Sequence, residues 1–235
     1  MNNYQQKSLG IIIPAYNPDI NQLEELIERI QNACKTFSYQ ILVVDDGSSV
    51  NICDFYSISR RAAIIRHPNN MGKGAALKSG FRFFIENQPR DLILTLDADL
   101  QHPPEYIPSF FKMYLKKGGN IIIGYRVRHL GVMPFHRILS NTLTSLIISI
   151  TTGQLVRDSQ CGFRLIESSV LQQVQLDENR FHLESELLLR AGMKGFKILS
   201  VPIPTIYANQ KSSINHVADT LNFIILMLRI IRERL

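Results

Sequence analysis

The chain has 235 residues, 45% of them hydrophobic and 20% charged, which is enough to bury a sizeable core in one or two domains. That composition excludes disorder and collagen-like repetition, and three widely separated cysteines, Cys34, Cys53 and Cys161, exclude a disulfide scaffold or a clustered zinc site. The net charge of +6 favours anionic partners, among which nucleic acid, phosphorylated metabolites and acidic lipid all qualify.

Short apolar runs alternate with longer amphipathic stretches through the first half. Strands are predicted at Leu9–Ala15, Ile41–Val44, Ala62–Ile65, Leu92–Leu96 and Ile121–Gly124. Helices are predicted between them at Ile20–Phe37, Asn51–Ser59, Gly72–Glu86 and Pro104–Lys117. In the first helix Leu23, Leu26, Ile27, Ile30 and Ala33 recur at the spacing of one buried stripe. This alternation implies an α/β fold, a mainly parallel sheet flanked by helices, with apolar strands covered on both faces. After Gly124 come a basic loop (Tyr125–Pro134), an amphipathic helix (Phe135–Thr152), and a turn with a short strand within Val156–Glu167. A helix at His182–Met193, extended chain at Lys197–Ile206 and a last helix from Val217 to the end follow. The polar N-terminus lacks the apolar core of a signal peptide, and no apolar run reaches the ~20 residues of a membrane span. A reduced, cytosolic setting is therefore expected.

Ligands of parallel sheets bind beyond the carboxyl ends of the strands, so the polar residues after each run are the candidates. Asp97 and Asp99 follow one run directly, and strand alternation places both on one side, as a clamp for a hard divalent cation on phosphate oxygens; Gln101 and His102 are further candidate ligands. Asp45, Asp46 and Gly47 follow another run, where carboxylates suit a nucleobase or ribose; an ordinary Asp-Gly turn is the plainer alternative. Gly72, Lys73 and Gly74 open a helix, an arrangement that lets a phosphate approach its N-terminus or that simply caps the helix; it is not a Walker loop.

IIIPAYNP, VVDDGSS, NMGKGAAL, LDADLQHPPE, DSQCGFR and VPIPTIY together resemble, in order and spacing, the inverting family 2 glycosyltransferases of GT-A fold, over about Ser8 to Ser213. The likeness is to dolichyl-phosphate mannose and glucose synthases and their bacterial polyprenyl-phosphate relatives. It implies transfer of a sugar from a nucleotide-sugar to a polyprenyl phosphate, assisted by Mg²⁺ or Mn²⁺. Pro14, Ala15, Tyr16 and Asn17 would line the nucleotide pocket, Asp45 and Asp46 would lie near base and ribose, and Gly72 and Lys73 would border the donor. Asp97 and Asp99 would meet the diphosphate, Asp99 with Gln101 holding the metal. Arg126, with Ser140 and the basic position one turn earlier (Arg137 or His136), would take the acceptor phosphate, and Lys211 would sit in a loop near the donor phosphates. Where the family often has Glu after the Asn of its first motif, this chain has Pro18 and then Asp19. DSQCGFR resembles the glucose-type branch, which implies a UDP-sugar in preference to a GDP-sugar.

Asp158, Glu184 and Glu186 are candidate bases should the acceptor be a hydroxyl; the two glutamates point different ways on their helix, so at least one is expected at the surface or as a cap. Cys161 is expected to be a small buried packing residue without a paired histidine. A transferase domain over residues 1–213 and an amphipathic helix over 214–235 are expected. The helix's apolar face (Leu221, Ile224, Ile225, Leu228, Ile231) and terminal arginines suit either an anionic membrane surface, at the cytoplasmic inner face, or packing on the domain or a dimer partner. Competing readings are transfer to a glycan hydroxyl, a sugar-phosphate nucleotidyltransferase, and a non-catalytic nucleotide-sugar sensor or membrane scaffold. Nucleic-acid binding ranks last, because Trp is absent and the cations gather in one loop.

Overall fold

The computed structural model describes residues 7–126, 135–180 and 182–206, together with 226, 227, 229, 230 and 232, and leaves the side chains of 135–140 aside. Central strand β1 (Ser8–Ala15) runs parallel between β2 (Ser38–Asp45) and β4 (Leu92–Thr95), with β3 (Ala63–Arg66) beyond β2. On the other flank β6 (Arg164–Glu167) is antiparallel both to β4 and to β5 (Ile121–Arg126), and β7 (Ile198–Ile203) runs parallel to β5. The order is β3-β2-β1-β4-β6-β5-β7. Leu9, Ile11, Ile12 and Ile13 are all fully buried, as expected of a central strand covered on both faces. The mainly parallel α/β reading holds. The reversed direction of β6 is what a four-residue apolar run does not disclose.

Helix α1 (Ile20–Ala33) buries Leu23, Leu26, Ile27 and Ile30, the predicted stripe, and Asp19 caps it by accepting from Asn21 N and Gln22 N. It stops before the predicted Phe37 because the chain must turn to enter β2, which starts at Ser38 opposite Ser8. The predicted helix over 51–59 is broken: a short turn at Ile52–Asp54 precedes α2 (Tyr56–Ser59), with Phe55 extended between them. Helix α3 (Lys73–Arg82) runs on into a π turn at Phe83–Asn87, α4 is Ile107–Lys117, α5 is Phe135–Thr152, and α7 is Leu183–Met193. Helix α6 (Ser168–Gln173) was not foreseen.

Helix α5 is amphipathic in an inverted sense. Asn141, Thr144, Ser145 and Ile148 are buried, while Leu143, Leu146 and Ile150 are exposed. At the C-terminal end, Leu226 and Ile230 are buried against Leu189 of α7, and Arg229 Nη2 lies 2.6 Å from Glu178. The face expected at Leu221, Ile224, Ile225, Leu228 and Ile231 lies outside the described residues. Among the described residues no helix is long and apolar enough to cross a membrane.

Candidate active site

A cleft of about 630 Å³ opens past the carboxyl ends of β1, β2 and β4. Its wall includes Pro14 and Ala15 at the end of β1 with Tyr16 and Asn17 just after it, Asp46 after β2, Gly72 and Lys73 at the start of α3, and Asp97 and Asp99 after β4. Four groups separated in sequence thus meet in one hollow. Asn17 has φ 47, a left-handed conformation that asparagine tolerates, and its side chain accepts hydrogen bonds from Ser49 N and Oγ, tying the first motif to the second. β4 ends at Thr95, so Asp97 and Asp99 project from a turn, not from the pleat that alternation supposes; Leu100 closes that turn at φ 59.

The electrostatics centre on Lys73. Its Nζ lies 2.7 Å from Asp97 Oδ1 and 3.2 Å from both oxygens of Glu184. Burial alone would lower the ammonium's pKa, but Asp97 and Glu184 outweigh it and hold it above the ordinary lysine value. Burial would likewise raise Asp97, yet Lys73 foremost, with His102 and Arg126, keeps it below the usual carboxylate range. Asp99 is raised, first by burial and then by its like-charged neighbour Asp97. Two carboxylates that repel one another in one cleft are a donor set that suits a hard cation, since Mg²⁺-type sites use one or two carboxylates and leave the rest to substrate phosphates and water. Among the described residues no three His, Cys, Asp or Glu side chains gather around a metal position. Gln101 contributes its backbone N–H to Asp99 Oδ1 at 3.1 Å.

Several candidates have other tasks. Asp45 is fully buried away from the cleft, accepting from Ser48 N and from the Arg66 guanidinium at 2.5 Å. Asp46 accepts from Met71 N and Gly72 N at 3.0 and 2.8 Å and meets His67 Nδ1 at 2.7 Å. The amides of Met71 and Gly72, just before α3, are therefore engaged by Asp46. The glycines there serve close packing: Gly72 has φ 98, and a Cβ on Gly72 or Gly74 would fall 2.5 or 2.6 Å from the backbone oxygens of Asn179 and Arg180. That crossing segment is pinned by Ala75 N bonding Asn179 O and by Glu186, which takes the amides of Asp177 and Glu178. It also brings Arg180 into the cleft wall, a cation no local pattern announced.

Glu184 and Glu186 are both buried, at 7% and 0% exposure, and the N-terminus of α7 has no side-chain cap, which corrects the expectation that at least one is at the surface or a cap; they do point to different partners. Asp158 receives Arg126 Nε and Nη2 at 2.8 and 3.1 Å and Asn141 Nδ2 at 2.8 Å. Burial opposes ionisation there, but Arg126 holds the Asp158 carboxyl below its ordinary value. His102 is not turned to a cation: Nδ1 accepts the Asp97 amide, and burial lowers its pKa to about 4. Its Nε2 lies 3.7 Å from Cys161 Sγ, the paired histidine that the sequence did not reveal. Burial nonetheless pushes the thiol up to about 12, so Cys161 remains a neutral packing residue. The side chains of His136, Arg137 and Ser140, and Lys211 altogether, lie outside the described residues.

A mainly parallel sheet with one reversed strand, carrying a carboxylate-lined cleft at its carboxyl edge, is the GT-A glycosyltransferase architecture. Glucosyl-3-phosphoglycerate synthase from Mycobacterium tuberculosis, solved with Mn²⁺, UDP and glucosyl-3-phosphoglycerate, shares this fold with a TM-score of 0.73 at 17% identity, over 95% of this chain and 79% of that one. The model of the glycosyl transferase family 2 matches residues 10–175, and the chain belongs to that family; it is a glycosyltransferase. The dolichol-phosphate mannosyltransferase of Pyrococcus furiosus is 32% identical over 202 residues, covering 83% of this chain but 55% of its own length. UDP-N-acetylglucosamine–dolichyl-phosphate N-acetylglucosaminyltransferase of Methanococcus voltae is 30% identical over 226 residues, covering 86% of each.

Proposed function

We propose that this glycosyltransferase moves one sugar from a nucleotide-sugar, UDP-linked in preference to GDP-linked, onto a polyprenyl (dolichyl-type) phosphate, with inversion. The observation that carries the choice of acceptor is the state of the three candidate bases, none of which lines the cleft. Asp158 is committed to Arg126 and held ionised, Glu184 to Lys73, and Glu186 to backbone amides. A hydroxyl acceptor needs a base to take its proton, whereas a phosphate arrives as an anion and needs positioning. Arg126 at the end of β5, fixed by Asp158 and followed in sequence by Arg128, His129, His136, Arg137 and Ser140, supports phosphate capture.

In the proposed reaction an acceptor phosphate oxygen attacks the anomeric carbon. The bond from that carbon to the donor diphosphate breaks, and its electron pair leaves on the nucleoside diphosphate. Asp97 and Asp99, with Gln101 beside them, would hold Mg²⁺ or Mn²⁺, which when bound neutralises charge on the leaving group. Pro14, Ala15, Tyr16, Asn17 and Asp46 hold the nucleoside end, and Lys73 adds a cation beside the diphosphate.

The inverted α5, with apolar Leu143, Leu146 and Ile150 outward and basic sequence just before it, supports work at the inner face of the cytoplasmic membrane, where the lipid acceptor resides. Residues 1–213 then form the transferase domain, followed by the C-terminal segment 214–235, whose Leu226 and Ile230 are buried against Leu189. Radiolabelled sugar passing from UDP-sugar into a butanol-soluble, acid-labile product tests this reading, with Asp99→Ala abolishing the transfer. Label appearing on soluble oligosaccharide alone would overturn the choice of acceptor.

A further inference from the structure

Asp97 is asked to serve two cations. In the structure it binds Lys73, 2.7 Å away, and under the function proposed above it binds a divalent metal. We propose that Lys73 is the counter-cation that Asp97 exchanges for a divalent metal, and that the incoming metal displaces the ammonium from Asp97 onto the donor diphosphate. The inference rests on that function reading for the metal and the donor.

The geometry separates fixed from movable partners. A Cβ on Gly162 would lie 2.9 and 3.0 Å from the two oxygens of Asp97 and 3.1 Å from Glu184 Oε1, so both carboxylates rest against the same stretch of backbone on that side. Glu184 is anchored further, because its backbone carbonyl accepts from the wholly buried Arg164. Lysine, by contrast, carries a compact charge on a flexible four-carbon stem. Lys73 and Asp97 line the cleft, while the Glu184 side chain lies behind them at 9% exposure. A swing of the ammonium further into the cleft leaves both carboxylates behind and carries its charge towards the diphosphate. Two cations on one carboxylate repel each other, so in the absence of a donor Lys73 competes with the metal; with a donor present the diphosphate receives the displaced charge. Metal and donor therefore bind cooperatively.

The test is a Mn²⁺ titration followed by electron paramagnetic resonance on the full chain without donor. Lys73→Met should bind Mn²⁺ at least about tenfold more tightly than wild type, and adding Asp97→Asn should cancel the gain. With UDP-glucose present the wild type should gain Mn²⁺ affinity and Lys73→Met should gain less. Should Lys73→Met fail to fold, the Lys73→Gln/Glu184→Gln pair, which keeps an amide contact, should show the same tighter donor-free binding. Unchanged or weaker Mn²⁺ binding in the folded variant overturns the exchange while leaving the function reading in place, provided the wild type binds Mn²⁺ with donor. A wild type that binds no Mn²⁺ even with UDP-glucose or GDP-mannose overturns both.

Discussion

Replacing Arg126 by methionine removes the cation from Asp158 while keeping a similar apolar stem. Asp158 is 1% exposed, and the variant leaves its carboxylate with Asn141 Nδ2 at 2.8 Å and the backbone amide of residue 126 at 3.4 Å. Breaking a buried ion pair from one side costs about 3–5 kcal/mol, which for a chain of this size is a fall of roughly 6–20 °C in the thermal midpoint. The pH dependence supplies the sharper check. In the wild type, burial opposes ionisation but Arg126 keeps the Asp158 pKa below its ordinary value, so the stabilisation is complete above the unfolded-state pKa and is lost as pH falls through the folded one. Without Arg126, burial wins and the folded pKa rises above the unfolded value. The variant then gains stability relative to wild type as pH falls through that raised value. Urea unfolding of both proteins at about pH 7 and about pH 4.5 should show the gap narrowing on acidification, and Arg126→Met/Asp158→Asn should recover part of the loss at neutral pH. A gap under about 1 kcal/mol, or one that does not change with pH, refutes the reasoning.

Three further outcomes follow from single contacts. Gly162→Ala places a methyl within about 3 Å of Asp97 and Glu184 without a forbidden backbone angle, so the protein should fold and lose transfer activity by roughly tenfold or more, a 1 Å displacement near the reacting groups being enough; activity within twofold of wild type contradicts this. Gly72→Ala should cost about 1–3 kcal/mol from backbone strain alone, plus the clash with Asn179 O, and calorimetry showing no fall in midpoint contradicts it. Thiol titration at mildly alkaline pH should find one reactive cysteine in the native protein, exposed Cys53, and three after denaturation, because burial lifts Cys34 and Cys161 to about 12.

The cleft was legible where chemistry follows directly on a buried strand. Asp46, Asp97 and Asp99 were identifiable because an apolar run ends and a carboxylate begins, which is a local signal. What such a signal does not carry is the partner. The glycines of the Asn70–Leu77 motif satisfy phosphate approach and tight packing equally well in sequence, and the tight packing depends on the distant Asn179–Arg180 segment. Lys73 and Glu184 are 111 residues apart, and neither spacing nor periodicity announces their pairing. Asp45 and Asp46 look alike as neighbours, yet one is closed off by Arg66 and the other lines the cleft, a distinction set by strand β3 and not by the motif. The buried Glu186 was misjudged for a similar reason, since its partners are the main-chain amides of a loop that has no residue pattern of its own.

The place of β6 has a consequence for how the molecule is made. It fills the gap between β4 and β5, so these two strands have no direct ladder of their own and wait for a segment made some forty residues after β5 ends. Until Glu167 clears the ribosome the emerging chain has an open sheet edge at β4 and an unpaired β5, whose partners β6 and β7 both lie further along the sequence, and open edges and unpaired strands invite wrong pairing. The last strand to enter the middle of the sheet is thus the step at which a slow translation site, or a chaperone, has the most to protect.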